Sequence, residues 1–423
     1  MKRRVAGMLE ARLPELKLEQ VVDPRARRGR RWELAALLRA MVVGLVTGRR
    51  SLAEVEALTA EMSVTMRPVL RVVRRVPDTT ARDVLCALDP DDVRRPLHAQ
   101  IRAAHRRKAL APEGLPFGVV AMDGKGTAIE VADDEYAQRQ PHSSGDGECG
   151  VVRTVTACLV STRARPCIDV VPIHASTNEM GQFESALSRL CVAYEGLRLF
   201  QLVTYDAGVC SEHNARVVIE HGLDYLLAIK GTQPTLLAEI ERALGRRTPA
   251  EADAHSEDVV GVHTVVRRVY VTDELSGWLD WQHLRTVVRV ESETLDRDGK
   301  RVEHFNRYFG SSLPSARLSA SQWLRVVRAH WGVENNCHHT WDAVLQEDEH
   351  PWIQRCPRAT VVVMVLRRIA YNLLTLFRSV TQRSDDRRQM PWRDLLRAIY
   401  ITLIAATDDT LGRHRDPEQL ITD

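Results

Sequence analysis

Between Phe117 and Leu244, short apolar runs rich in β-branched residues alternate with helical stretches, in an order few folds accommodate. Phe117–Met122 (FGVVAM), Val151–Thr162 (VVRTVTACLVST) and Cys167–Ile173 (CIDVVPI) read as strands. Asn178–Tyr194 reads as a helix and Leu199–Tyr205 as a strand; Ser211–His221 reads as a helix capped by Ser211 and stopped by Gly222. Tyr225–Lys230 supplies a fifth strand and Gln233–Leu244 another helix. The polar stretch Asp133–Gly150, with Gly145-Asp146-Gly147, reads as a long hairpin connection.

Three strands joined by hairpins, then two reached through crossover helices, predict an α/β fold with a mixed sheet and helices on its faces, the RNase H-like order. Residues 1–112 read as an all-helical N-terminal domain and 113–248 as the first part of the core. A β-rich insertion follows over 249–314, with Asp296–Lys300 as a hairpin turn, then core helices over 315–405 and a polar, mobile tail over 406–423. In the helical domain, Ser51 is placed to cap SLAEVEALTAEM with Glu54 completing a capping box, and Thr79 or Thr80 to cap ARDVLCAL.

Charge is unevenly placed. The 423 residues carry a net +3, but residues 1–110 hold 24 Lys and Arg against 13 Asp and Glu, and the remainder holds 35 against 43. A basic head on an acidic body fits a nucleic-acid-binding arm joined to a metal-binding core. Arginine as a solvated helix residue explains the same charge without DNA. Eight cysteines with no CxxC pair argue against a disulfide scaffold or zinc ribbon. No run approaches ~18 uninterrupted apolar residues. The N-terminus MKRRVAGMLEARLPEL lacks an apolar signal core, so a cytoplasmic protein without a membrane span is expected.

Two acids fall at predicted strand ends. Asp123 follows the first strand and precedes Gly124-Lys125-Gly126; Asp206 follows the fourth, in Tyr205-Asp206-Ala207-Gly208. In an RNase H-like order these strands are neighbours, so both carboxylates meet at one sheet edge. Either acid alone reads as a turn former or helix cap; the pair at matching ends does not. A third acid is expected from the helix over 319–345, where His330, Glu334 and His338 share one face at i, i+4, i+8, and Asp342 extends it. Two-metal phosphodiester cleavage needs such convergent oxygen ligands, and Mg²⁺ suits them. A zinc site among His330, Cys337, His338, His339, His350 and Cys356 is the competing reading, but the spacings match neither a finger nor HExxH.

Four blocks then run in order along nearly the whole chain: Asp23-Pro24-Arg25 through Ser51-Leu52; Met122-Asp123-Gly124-Lys125; Thr177-Asn178-Glu179 through Tyr205-Asp206-Ala207 to Lys230-Gly231-Thr232-Gln233-Pro234; and His330-Trp331-Gly332-Val333-Glu334-Asn335 with His338, Asp342 and Glu347-Asp348. Together they resemble the DDE insertion-sequence transposases, in the ISAs-type branch that includes the H-repeat-associated proteins. The chain departs from the family pattern in Gly126-Thr127-Ala128-Ile129-Glu130, in Gly261-Val262-His263-Thr264 and near Ser211, which marks a divergent subgroup.

The resemblance implies a DNA transposase with Asp123, Asp206 and Glu334 as catalytic triad and metal ligands, holding two Mg²⁺ ions that Mn²⁺ can replace. It implies double-stranded DNA as partner, both terminal inverted repeats and target, bound by a homodimer. Asn178, Glu179 and Asn335 take supporting rather than ligand roles. Candidate DNA contacts are Arg25, Arg27, Arg28, Arg30 and Arg31 in the helical domain, with Lys125, His330 and His338 near the acids. A host-adopted nuclease that cuts without integrating and a catalytically silent DNA-binding derivative are the alternatives; the presence of all three acids disfavours the second.

Overall fold

The computed structural model describes residues 1–130, 134–141 and 147–412. Six helices come first: α1 (Lys2–Arg12), α2 (Leu34–Val46), α3 (Leu52–Glu61), α4 (Met66–Leu70), α5 (Asp78–Ala87) and α6 (Pro90–Arg106). Ser51 caps α3 by accepting from the Glu54 N–H at 3.2 Å, but the Glu54 carboxylate turns back to the Arg50 N–H rather than closing a box on Ser51. Helix α5 starts at Asp78, ahead of both threonines, because the Asp78 N–H donates to Glu56 of α3 at 2.9 Å.

Among the described residues the sheet has ten strands: β1 (Val119–Ile129), β2 (Ala137–Pro141), β3 (Glu148–Leu159), β4 (Cys167–Pro172), β5 (Leu202–Tyr205), β6 (Asp224–Ile229), β7 (Ala254–Val260), β8 (His263–Thr272), β9 (Thr286–Leu295) and β10 (Arg301–Ser311). Strands β4, β3 and β1 are antiparallel; β1, β5 and β6 are parallel, the β5–β6 step crossing over through a helix. This is the RNase H-like arrangement expected from the order of elements.

Two features differ from the sequence reading. β2 lies inside the stretch read as a connection and pairs with β3; Gly145 and Asp146 of that stretch fall outside the described residues. The insertion also does not stand apart from the core. The run VVGVHTVVRRVYVT breaks at Gly261 (φ 63°) into the β7–β8 hairpin, and β10 pairs with β6 (Phe309 opposite Ala228), so β7–β10 extend the core sheet. From residue 413 on, the expected polar tail lies outside the described residues.

Successive residues of a strand point to opposite faces, and here both faces are buried. Val119, Ala121, Leu202 and Leu226 feed one core; Val120, Met122, Val203 and Leu227 feed the other. Burial on both sides is why these strands read as unbroken apolar runs. Helices α7 (Glu179–Ala193), α8 (Glu212–Glu220) and α9 (Pro234–Leu244) cover the second core through Leu190, Val218 and Ile240. The first core is covered by α10 (Ala320–His330) and α12 (Pro357–Leu376) together with the N-terminal helices, so Leu37, Leu97 and Ile369 share one packed interior. The stretch Pro357–Thr381 is long and apolar enough to cross a membrane, yet its most apolar window is buried within the protein.

The stretch read as one helix over 319–345 is broken. Helix α10 ends at His330, a π-helical turn spans Val333–His338, and only then comes the short α11 (His339–Ala343). A π turn inserts extra backbone into the helical repeat and so rotates the residues beyond it relative to a regular helix. The i, i+4, i+8 spacing of His330, Glu334 and His338 is thus not carried by one regular helix.

Candidate active site

β1 does not end at Asp123. It runs six residues further, with Asp123 opposite Thr156 of β3. What ends there is the pairing with β5, last seen at Ala121 opposite Thr204. Carried on two residues, that register sets Asp123 beside Asp206, which follows β5 directly. The expected juxtaposition of the two acids therefore arises where neighbouring strands part, not where both stop. Each is held by a nearby glycine N–H: Asp123 Oδ1 accepts from the Gly124 N–H at 2.9 Å, and Asp206 Oδ1 from the Gly208 N–H at 2.6 Å.

Glu334 sits exposed on the π turn above them. Burial, followed by the charges of Glu334, Glu179 and Asp206, pushes the Asp123 carboxyl up to about 8. Four carboxylates thus act on one spot. Among the described residues no Lys or Arg ion-pairs with Asp123, Glu179, Asp206 or Glu334, although Arg153 is close enough to Glu179, and Arg307 to Glu334, for the charges to interact. Arg307 comes from β10, so the insertion delivers a cation to the third acid, its guanidinium lying 4.2 Å over the Trp331 ring. Nothing in the residues flanking Arg307 singles it out.

The other expected contacts take varied positions. His338 places Nε2 3.0 Å from the Thr156 hydroxyl and Nδ1 3.5 Å from Asp123 Oδ2. The second distance would suit an ion pair, but burial and then the nearby Arg368 and Lys125 hold the His338 imidazole down to about 3, so the ring is neutral beside the acid. His330 is buried, with Nδ1 3.0 Å from the Thr204 hydroxyl, and burial lowers it to about 4. Lys125 is also buried: its ammonium lies 2.8 Å from Asp342 and 3.1 Å from Asp348, while Thr127 donates to Asp348 at 2.9 Å. Asp342, expected on the same helix face as Glu334, is thereby held by Lys125.

The five arginines of the helical segment divide. Arg25 donates to Asp23 at 2.8 Å and to the Trp32 carbonyl at 2.6 Å, and Arg30 donates to the Arg25 and Asp23 carbonyls. Arg27, Arg28 and Arg31 are exposed. Beside Asn335 opens a cleft of about 510 Å³ whose lining includes Glu113, Arg165, Arg325, Arg328 and Trp331.

Among the described residues no three His, Cys, Asp or Glu side chains converge closely enough to grip an ion as they stand. The donor set nonetheless fits a hard divalent cation. It offers carboxylate oxygens that make no ion pair with Lys or Arg among the described residues, and Glu334 is exposed to water, as Mg²⁺ prefers.

A family model described as Transposase DDE domain matches residues 115–373, and a second, described as DDE_Tnp_1-associated, matches residues 16–99. The chain is similar to "H repeat-associated putative transposase YhhI" of Escherichia coli (strain K12), 26% identical over 269 residues. That alignment covers 61% of this chain and 64% of the relative, so the likeness spans less than two thirds of that protein. "Putative transposase YncI" of Escherichia coli O157:H7 is 24% identical over 302 residues, 66% of this chain and 75% of the relative. "Uncharacterized protein in dhlA 3'region" of Xanthobacter autotrophicus is 37% identical over 108 residues, 23% of this chain and 36% of the relative.

Proposed function

The chain belongs to the DDE transposase family, and we propose that it nicks DNA at the ends of an insertion sequence by metal-dependent phosphodiester hydrolysis and joins the freed 3′ ends to target DNA. The observation that carries this reading is the register of β1 and β5, which runs toward Asp123 and Asp206 side by side, with Glu334 acting on Asp123 from the π turn. Asp123, Asp206 and Glu334 would hold the metal, Mg²⁺ or Mn²⁺. When bound, the metal activates the attacking water or 3′-hydroxyl and steadies the leaving oxygen.

The chain's own residues prepare that site. Gly124 and Gly208 N–H groups fix the two aspartates, Arg307 balances part of the Glu334 charge, and the neutral His338 adds no competing cation. Exposed Arg27, Arg28 and Arg31 would meet phosphates of the terminal repeat, and the arginine-lined cleft beside Asn335 would take backbone phosphates near the scissile bond. Joining two ends calls for a homodimer on DNA.

The test incubates purified protein and Mg²⁺ with duplexes carrying the element's flanks and maps the cut and joined ends. Asp206→Asn and Glu334→Gln are expected to abolish nicking while end binding persists. Unchanged nicking in either variant overturns the triad; hydrolysis without joining identifies a nuclease instead.

A further inference from the structure

Glu179 occupies a position that a merely supporting residue does not need. It is the first residue of α7, whose start is fixed by Asn178 Oδ1 accepting from the Gly181 N–H at 3.0 Å. One turn on, Phe183 is fully buried and packs edge-on against Tyr205 with ring centroids 5.5 Å apart. Because i and i+4 share a helix face, the same face that anchors Phe183 against β5 carries Glu179 to the strand's end, where Asp206 stands. Its carboxylate fills the space beside Gly124: a Cβ there would lie 1.5 Å from Glu179 Oε1 and 2.1 Å from Cδ. The glycine after Asp123 is therefore what admits a fourth acid.

A second observation points to something held among these acids. Tyr205 is 1% exposed, and among the described residues its hydroxyl has no hydrogen-bond partner. That hydroxyl lies within reach of the charges of Glu179, Asp123 and Asp206. A buried phenol without a partner beside mutually repelling carboxylates is costly unless a water or hydrated cation completes the set.

We propose that Glu179 is a fourth carboxylate of the divalent-metal site, acting with Asp123 and Asp206 across Gly124, with the Tyr205 hydroxyl directed to water held among them. This rests on the metal-dependent reading above and extends it to a residue outside the triad. Burial and then Asp206 raise the Glu179 carboxyl, Arg153 opposing, which agrees with crowding that a cation would relieve.

The test titrates Mn²⁺ into the full-length chain without DNA, followed by calorimetry and by the paramagnetic resonance of free Mn²⁺. Glu179→Gln and Gly124→Ala should each weaken Mn²⁺ binding by about tenfold or more, and should shrink the metal-induced rise in Tm. Far-UV circular dichroism checks folding; if Gly124→Ala does not fold, Glu179→Gln decides alone. Wild-type Mn²⁺ affinity in Glu179→Gln, with affinity lost in Asp206→Asn, overturns the role of Glu179 and leaves the metal reading standing. Wild-type affinity in Asp206→Asn as well, or no Mn²⁺ binding by the wild-type chain, overturns both.

Discussion

Lys125 holds Asp342 at 2.8 Å, tying the strand that carries Asp123 to the segment just past Glu334. The lysine is two residues beyond the aspartate, its side chain is 6% exposed, and Asp348 takes a second side of its ammonium. Such a link can hold the acids in place relative to one another. Lys125→Met leaves two carboxylates unpaired, but both are partly exposed and can rehydrate, so the cost falls near about 1–2 kcal/mol rather than the larger penalty of a sealed charge. Urea denaturation should show that loss. Nicking should drop well beyond it, with end binding unchanged. Nicking at the wild-type rate would mean that the acids are aligned by something else.

The split among the five arginines yields a second expectation. Arg27→Ala, Arg28→Ala and Arg31→Ala should each lower the slope of log affinity against log salt by up to about one, with little effect on Tm. Arg25→Ala should do the reverse, because its guanidinium bridges Asp23 and the Trp32 carbonyl and so shapes the turn before α2. Salt-dependent binding of a terminal-repeat duplex, measured with thermal melts, separates the groups; identical behaviour in all five would refute the division.

How much of the fold and site is legible in the sequence depends on what a local pattern can carry. β1, β5 and β6 are visible because burial on both faces writes an unbroken apolar run. The continuation of β1 through Asp123-Gly124-Lys125-Gly126 is not, since its support is the register with Val151–Thr156 on β3, a contact made at long range. β2 and β7 escape notice for a related reason: AQRQP and AHSEDVV are polar strands with exposed residues along their length. The π turn leaves no periodic trace, so a regular helix is the natural extrapolation. Glu179 is hidden by its ordinariness, as an acid in the first turn of an Asn-capped helix is what the helix dipole favours anyway. Its approach to Gly124 exists only in three dimensions.

Gly118 shows the cost of another close approach. A Cβ there would lie 2.1 Å from the Leu199 carbonyl oxygen and 2.9 Å from the Phe200 Cα, while the Gly118 carbonyl accepts from the Gln201 N–H at 2.9 Å. These are backbone atoms at the start of the parallel β1–β5 pair, so no side chain can swing aside. Gly118→Ala should destabilise by about 1–3 kcal/mol or more and loosen the register that aligns Asp123 with Asp206. Hydrogen exchange should find β1 and β5 amides less protected. A variant with wild-type Tm and protection would contradict the contact.

Asp169 supplies a pH-dependent test away from the candidate catalytic acids. Burial opposes its charge, but Arg94, bonded to it through Nε at 3.0 Å and Nη2 at 2.6 Å, and His98 at 2.9 Å outweigh that and hold the carboxyl well below its usual range. A carboxyl depressed in the folded state contributes stability that is present above its unfolded value near about 4 and fades as pH falls below it. Asp169→Asn should therefore cost about 3–5 kcal/mol at pH 7, by urea denaturation. The gap to wild type should hold down to about pH 5 and narrow below pH 4. A gap that stays constant into acid would mean the loss is one of packing, not charge.

The interior of α12 sets two arginines against one glutamate, all three fully buried. Arg368 makes a forked contact with Glu347, with Nη2 2.9 Å from Oε1, and lies 3.7 Å over the Trp341 ring. Arg367 is 3.8 Å from the same carboxylate, donates to the His350 carbonyl, and among the described residues leaves Nε and Nη1 without hydrogen-bond partners. The shifts agree with this assignment: burial lowers Arg367 to about 10 despite Glu347, whereas at Arg368 the attraction of Glu347 outweighs burial and raises it. Glu347→Gln strands two cations in the core and should cost about 3–5 kcal/mol. Arg367→Met removes the surplus charge and puts an apolar chain of similar length in its place, so it should be near neutral or mildly stabilising, since buried ion pairs seldom outperform apolar packing. Denaturant midpoints of the two variants decide the matter, and equal destabilisation would show that Glu347 serves both arginines alike.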